Sequence, residues 1–233
     1  MAYEFFLGID RAGDSDLFTL ALVEKSRYAT EGDITYHVRR LEQRCDQDAS
    51  AVAAFVKDLI ADEPYVGRTE IVVNRTQKQG RALLQRLVDE GLTPIGATLT
   101  GGDSAAQSGP GIVVDHGIGP NNEGGFIISE HDVVEAVEEI YRNGQLKLEH
   151  DSEEMSSMAH GLEDYVYRAG EAGVALEHIS GRPGRRADHH DLVLATALAC
   201  WYGQHLSFDP SEHYDELPDT GAVKRMHRPD VTH

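Results

Sequence analysis

Residues 3–10 read YEFFLGID, an apolar run that stops at an acid. A short apolar run of this kind predicts a buried strand, here one whose last residue, Asp10, lies at a polar edge of the sheet. Residues 17–25, LFTLALVEK, predict a second strand after an acidic turn. Residues 34–44, ITYHVRRLEQR, alternate in polarity and predict a half-buried third strand. We expect these first three strands to pair antiparallel.

Beyond residue 45 the predicted strands and helices alternate. Helices are predicted over 48–62, 77–89, 129–142, 153–169 and 188–202. Strands are predicted over 70–74, 93–100, 112–115, 146–150 and 174–179. The glycine-rich residues 101–125 predict a long loop around the 112–115 strand. The alternation indicates an α/β domain over residues 1–204 with a mixed central sheet flanked by helices. Residues 205–233 predict an extended or disordered acidic tail.

The chain is strongly acidic, with 40 Asp and Glu against 21 Lys and Arg and a net charge of −19 at pH 7. Such a surface repels nucleic acid, because affinity for a phosphate backbone comes largely from Lys and Arg that displace counterions. The balance is also typical of adaptation to high salt. At molar salt the Debye length shrinks to about 3 Å, so distant carboxylates have little effect on a ligand. The charge that lines the site itself then decides what binds.

The sequence gives no sign of a membrane segment or a secretory signal. The apolar runs are shorter than the roughly 18 residues that indicate a membrane span, and the first residues lack a basic region followed by a cleavage site. Two cysteines, Cys45 and Cys200, are too few for a disulfide framework, and we predict that both are reduced core thiols. We therefore expect a cytoplasmic protein with no membrane partner.

Three acids fall where the sheet is predicted to end. Asp10 closes the first strand, and Asp188 and Asp191 open the last helix one turn apart, ahead of the apolar residues 192–202. Buried carboxylates are costly, and hard oxygen ligands of this kind suit Mg²⁺ or Mn²⁺. Two such ions would support phosphodiester hydrolysis. The alternative is structural: a turn residue at 10, an N-cap at 188 and a favourable first-turn charge at 191.

Other polar side chains flank these acids. His190 is a further candidate ligand, although a first-turn histidine is more often simply exposed. Six cations surround two of the segments and are candidate phosphate contacts, the alternative being that they neutralise nearby carboxylates. They are Arg75, Lys78 and Arg81 after the fourth strand, and Arg182, Arg185 and Arg186 before the last helix.

The ordered set of segments resembles a known family. The run ADHHDLVLATALACWYG resembles the segment that opens the last helix of the nuclease domain in the large subunit of phage DNA-packaging terminases. FFLGID with LFTLALVE resembles that family's first hairpin, IVVNRTQKQGRALLQRL its fourth strand and helix, and PIGATLTGG its next strand. The resemblance covers about residues 3–203 and implies a ribonuclease H-like fold. It also implies a DNA endonuclease with a two-metal mechanism, catalytic residues Asp10, Asp188 and Asp191, and double-stranded DNA as partner.

Two departures from the family pattern concern the metal site. The family has an acid at the end of the fourth strand, where this chain has Asn74, and two consecutive acids where this chain has His190 and Asp191. The resemblance would make Asn74 and His190 metal ligands of altered chemistry. The chain also lacks a GxxxxGK[ST] loop, so a packaging role would need a separate ATPase motor or portal protein. The alternative function is a catalytically impaired module that binds nucleic acid or a viral packaging partner.

Two further classes of enzyme fit less well. An actin-like kinase needs a second glycine-rich phosphate loop and a second lobe, for which the chain is too short. A serine hydrolase would need a G-x-S-x-G elbow, which the sequence does not contain. The family resemblance also implies a viral or prophage origin.

Overall fold

A computed structural model describes residues 2–11, 17–27, 34–45, 48–100, 113–115, 125–148, 152–172 and 187–205. The strands are β1 (Ala2–Arg11), β2 (Leu17–Arg27), β3 (Ile34–Cys45), β4 (Thr69–Asn74), β5 (Ile95–Thr100), β6 (Val113–Asp115), β7 (Gly125–Ser129) and β8 (Leu146–Leu148). The helices are α1 (Ala49–Leu59), α2 (Lys78–Asp89), α3 (Glu130–Arg142), α4 (Glu153–Ala172) and α5 (Ala187–His205).

The strands form one mixed sheet in the order β6-β7-β5-β4-β1-β2-β3-β8. β1, β2 and β3 pair antiparallel. β4 is parallel to β1, β5 to β4, β7 to β5 and β8 to β3, whereas the short β6 is antiparallel to β7. The predicted α/β fold with an antiparallel beginning and later parallel strands is confirmed, and the layout is compatible with a ribonuclease H-like sheet. The carboxyl ends of β1, β4, β5 and β7 consequently share one edge.

Each face of the sheet carries its own hydrophobic core, because side chains alternate between faces along a strand. On one face Phe5, Leu7 and Ile9 of β1 pack with α1 and α2. On the other face Phe6 of β1 and Ala21 of β2 pack with α3, α4 and α5. Asp10 follows Phe6 and Gly8 on this second face, so its side chain is directed toward the layer that contains α5.

α5 is buried on all sides between the sheet and the other helices. It contacts β1 and β2 below and α3 and α4 above, and residues 191–203 are all buried. A helix enclosed in this way needs apolar residues all round, which is what its sequence supplies. The close approach depends on Gly8, because a Cβ atom at that position would overlap the carbonyl oxygen of Ala195.

The structure departs from the sequence-based predictions at two points. β7 was not predicted: the predicted loop ends at Gly125, the predicted helix begins at Ser129, and the three residues between them were given no secondary structure. Cys200 is buried as predicted, but Cys45 is exposed at the end of β3, so the prediction of two core thiols is wrong for Cys45. A thiol is small and only a weak hydrogen-bond donor, so exposing Cys45 at the end of a strand costs little.

Several predictions concern residues that the structure does not describe. These are the strand at 174–179, most of the loop at 101–125 and the tail from residue 206 onward. Among the described residues, no helix combines the length and apolarity needed to cross a membrane.

Candidate functional site

Asp10 and Asn74 meet at the carboxyl ends of two neighbouring strands. Ile9 pairs with Val73 in the parallel β1–β4 ladder, so residues 10 and 74 are the next positions along each strand. The Asn74 amide donates from Nδ2 to Oδ1 of Asp10 at 2.7 Å. Asp10 is only 3% exposed. Both residues are among the predicted metal ligands, and that role stays a prediction.

The other side of the Asn74 amide is fully engaged by Thr76. The Asn74 Oδ1 atom accepts from the backbone N–H of Thr76 at 3.0 Å and from its hydroxyl at 2.7 Å. The Thr76 hydroxyl in turn accepts from the backbone N–H of Leu99 at 2.7 Å. These donors fix which end of the amide is oxygen, because a flipped amide would turn its NH₂ group toward the Thr76 N–H. The carbonyl oxygen of Asn74 therefore faces Thr76 and not Asp10.

α5 runs antiparallel to β1 and brings its first turn toward Asp10. The Tyr202 ring, near the end of α5, packs edge-on against Phe6 with ring centroids 6.1 Å apart. Ala195, nearer the start, lies against Gly8. Asp191 is one turn before Ala195 and therefore on the same helix face, and it is only 6% exposed. The acids of the first strand and of the closing helix thus lie at the same end of the β1–α5 layer.

His190 and Glu130 complete the described part of this region. Glu130 is the first residue of α3 and directly follows β7, whose carboxyl end shares the edge with Asp10. The Nε2 atom of His190 is 3.5 Å from Oε1 of Glu130. The His190 side chain is 26% exposed, so it lies at the mouth of the site rather than in its floor.

The electrostatics of Asp10 are dominated by its burial. Burial raises the pKa of Asp10 above its ordinary value, because the charged form loses water. The hydrogen bond from Asn74, the neighbouring His190 and the backbone N–H of Arg11 lower the pKa, in that order, and Glu130 raises it. The net effect is a raised pKa. Binding a proton or a cation therefore stabilises the buried Asp10 carboxyl group.

The chemistry of the donors suits a hard or borderline divalent cation. Asp10 and Asp191 offer carboxylate oxygens and His190 an imidazole nitrogen, a mixture that Mn²⁺ accepts more readily than Mg²⁺. Among the side chains that the structure describes, no three His, Cys, Asp or Glu residues are arranged as a metal site. The side chain of Asp188, the third predicted carboxylate, is not among them.

The predicted phosphate contacts fall into three groups. The Arg75 side chain is buried, donates from Nε to the Thr98 hydroxyl at 3.1 Å and lies against Gly96, so it contributes to packing on β5. Arg81 is exposed and donates to the backbone carbonyl of Thr76 at 2.9 Å, which holds the β4–α2 loop. Lys78 is exposed at the start of α2. Arg182, Arg185 and Arg186 lie outside the described residues.

Sequence reasoning missed Glu130 and Thr76. Glu130 carries the same signal as Asp10, an acid directly after a buried strand, but the signal was hidden because β7 itself was not predicted. Thr76 follows Asn74 by two residues, and a side-chain oxygen of Asn commonly accepts from the backbone two residues on. Both residues could have been found from the sequence by these rules.

The fold and the site together define an α/β protein with buried acids at the carboxyl edge of a mixed sheet. Neither the comparison with protein-family models nor the comparison with curated proteins finds a match.

Proposed function

We propose that the chain is a metal-dependent DNA endonuclease that hydrolyses phosphodiester bonds. The observation that carries this proposal is the position of Asp10, buried at the end of β1, in the layer where α5 brings Asp191 to the same end. Burying two acids in a folded core is costly, and a divalent cation is a common compensation in enzymes that act on phosphate esters.

The residues of this site have distinct roles in the proposed reaction. Asp10 and Asp191, with Asp188, would hold the cation, and His190 would be a further ligand. A bound Mg²⁺ or Mn²⁺ would supply Lewis-acid polarisation of the phosphate and an activated water. The burial of Asp10 keeps bulk water from its carboxylate and strengthens its attraction for positive charge.

The proposed substrate is double-stranded DNA. Lys78 and Arg81 are exposed near the loop that follows Asn74, where cations would contact backbone phosphates without reading the sequence. A packaging role would require a separate ATPase motor or portal protein. Because these partners are intracellular, the proposal includes a cytoplasmic location.

The first experiment is cleavage of supercoiled plasmid with Mn²⁺ by the wild type and by Asp10→Ala. We expect Mn²⁺-dependent nicking that falls by more than about 100-fold in the variant, since losing a direct ligand should cost at least as much as losing an outer-shell partner. The matched control is Asp58→Ala, which removes an exposed acid from α1 and should nick like the wild type. Equal nicking by Asp10→Ala and wild type would contradict the proposal.

A second candidate function is a non-catalytic module that binds nucleic acid or a packaging partner. The observation that favours it is Asn74, a neutral amide whose oxygen is directed to Thr76. This candidate predicts a gel shift of DNA by both wild type and Asp10→Ala with no Mn²⁺-dependent nicking by either.

A further inference from the structure

The amide of Asn74 presents a donor to Asp10. Its Nδ2 group lies 2.7 Å from Oδ1 of Asp10, on the line between the ends of β1 and β4. A cation shared by residues 10 and 74 would have to take the place of this N–H hydrogen. The partial positive charge of an N–H group repels a cation, so the position between the two strand ends is closed to metal.

Rotation of the amide does not reopen this position. The Thr76 backbone N–H and hydroxyl both donate to the carbonyl oxygen of Asn74, and Thr76 is itself held by the N–H of Leu99 on β5. Turning the amide would break three hydrogen bonds, counting the one to Asp10, and would bring two donors together. The bond to Asp10 is partly buried, and the two from Thr76 are exposed. Hydrogen bonds contribute about 1 kcal/mol each, and a buried donor left unsatisfied costs more. The orientation is therefore fixed by three strands and a loop.

The side of Asp10 that faces α5 has the opposite character. Asp191 lies on the α5 face that packs on β1, and the carboxylate of Glu130 and the ring of His190 border the same region. The two carboxylates contribute negative charge, which attracts a cation, whereas His190 lowers the pKa of Asp10 and therefore acts there as a positive charge. Among the described residues, the acids that would attract a cation to Asp10 therefore lie on this side of it.

We infer that Asn74 restricts the site to one divalent cation, bound between Asp10 and α5, and that an acid at residue 74 would create a second cation position between β1 and β4. The inference rests on the proposed function for the existence of the first cation. It replaces the expected pair of ions with a single ion and makes residue 74 the determinant of the number bound.

The test is a titration with Mn²⁺ alone, in the absence of DNA, followed by calorimetry and by electron paramagnetic resonance. We expect one Mn²⁺ per wild-type chain and an uncoupled spectrum. Asn74→Asp should bind two, because its new carboxylate oxygen faces Asp10 while Thr76 can still donate to the other oxygen. Two ions about 3.5–4 Å apart should give a spin-coupled spectrum, which is a readout independent of activity.

Gln77→Glu is the matched control, because it adds the same negative charge at an exposed position just outside the site. It should still bind one ion. Two ions in the wild type, or one in a folded Asn74→Asp variant, would overturn the inference and leave the proposed function intact. No Mn²⁺ bound by the wild type and no metal-dependent nicking would instead remove the proposed function. If Asn74→Asp fails to fold, two ions bound by the wild type would still overturn the inference.

Discussion

At the scale of single residues, Asp10 shows how a site can oppose stability. Its carboxyl group is buried beneath α5, and burial raises its pKa even though Asn74 and the Arg11 backbone N–H stabilise the charged form. Above that pKa the folded protein holds a charge that the unfolded chain would hold in water at less cost. A group with this property lowers stability unless a cation is bound, which is the usual conflict between function and stability.

Asp10→Asn should therefore stabilise the protein when metal is absent. The neutral amide keeps an oxygen for the Asn74 donor and removes the buried charge. At neutral pH with EDTA we expect a gain on the order of 1 kcal/mol, or about 2–4 °C in Tm, by thermal unfolding followed with circular dichroism. Asp58→Asn, at an exposed site, should change Tm little.

The stability gained by Asp10→Asn should increase with pH. The unfolded chain releases the Asp10 proton near the ordinary value of 3.8, whereas the folded protein releases it at a higher pH. The wild type consequently loses stability as pH rises from below the ordinary pKa to above the raised one. Asp10→Asn should match the wild type below pH 3.8 and exceed it at neutral pH. A variant less stable than the wild type at neutral pH without metal would contradict this account.

At the scale of secondary-structure elements, the end of α5 is held by a buried lysine. Lys25 on β2 is 2% exposed and donates from Nζ to the backbone carbonyl of Gly203 at 2.6 Å. Gly203 lies in the last turn of α5, where carbonyls have no partner within the helix. Burial lowers the pKa of Lys25, and its neighbour Glu4 on β1 opposes that shift. This hydrogen bond thus links the end of α5 that is far from Asp10 to β2 of the sheet.

Lys25→Met should destabilise the protein by about 2–4 kcal/mol, because it leaves the Gly203 carbonyl without its donor and removes the positive charge beside Glu4. The measurement is equilibrium unfolding in urea. Lys57→Met is the matched control, since Lys57 forms an exposed ion pair with Glu90 at 2.8 Å and should cost less than about 1 kcal/mol. Equal stabilities of Lys25→Met and wild type would show that the methionine packs as well as the lysine does.

The elements differ in how far the sequence could predict them. β1 and α5 were predicted because each contains a nearly continuous run of apolar residues, and such a run predicts a buried element. β7 was missed because its five residues, which begin with a glycine and end with a serine, are too few to show a clear polarity pattern. The antiparallel packing of α5 on β1 depends on Gly8. This packing could not be predicted, because a single glycine in a sequence does not indicate which backbone segment will lie against it.

The site could be predicted only in part for the same reason. Asp10 and Asp191 follow from their places at a strand end and a helix start, which local sequence reveals. The contact of His190 with Glu130 joins residues distant in the chain, so it depends on the packing of α3 against α5. The direction of the Asn74 amide depends on Thr76 and Leu99 together, and the latter belongs to a different strand.

At the scale of the whole molecule, charge is the dominant feature. A net charge of −19 makes the folded chain repel itself, because folding brings carboxylates closer than they are in the unfolded chain. Exposed ion pairs such as Arg86 with Asp89 offset little of this repulsion. Salt shortens the Debye length from about 10 Å at 0.1 M to about 3 Å at 1 M. Screening should therefore stabilise this protein more than a neutral one.

We expect Tm at pH 7 to rise by about 10 °C between 0.05 M and 2 M KCl, which for a chain of this size corresponds to about 3 kcal/mol of relieved repulsion. Most of the rise should occur below 1 M, where the Debye length changes most. Differential scanning calorimetry at a series of KCl concentrations measures it. At pH 4.9, the isoelectric point given by the composition, the same salt series should change Tm far less, because the net charge is near zero. An equal rise at both pH values would assign the stabilisation to ion exclusion from the surface, and would remove self-repulsion as its cause.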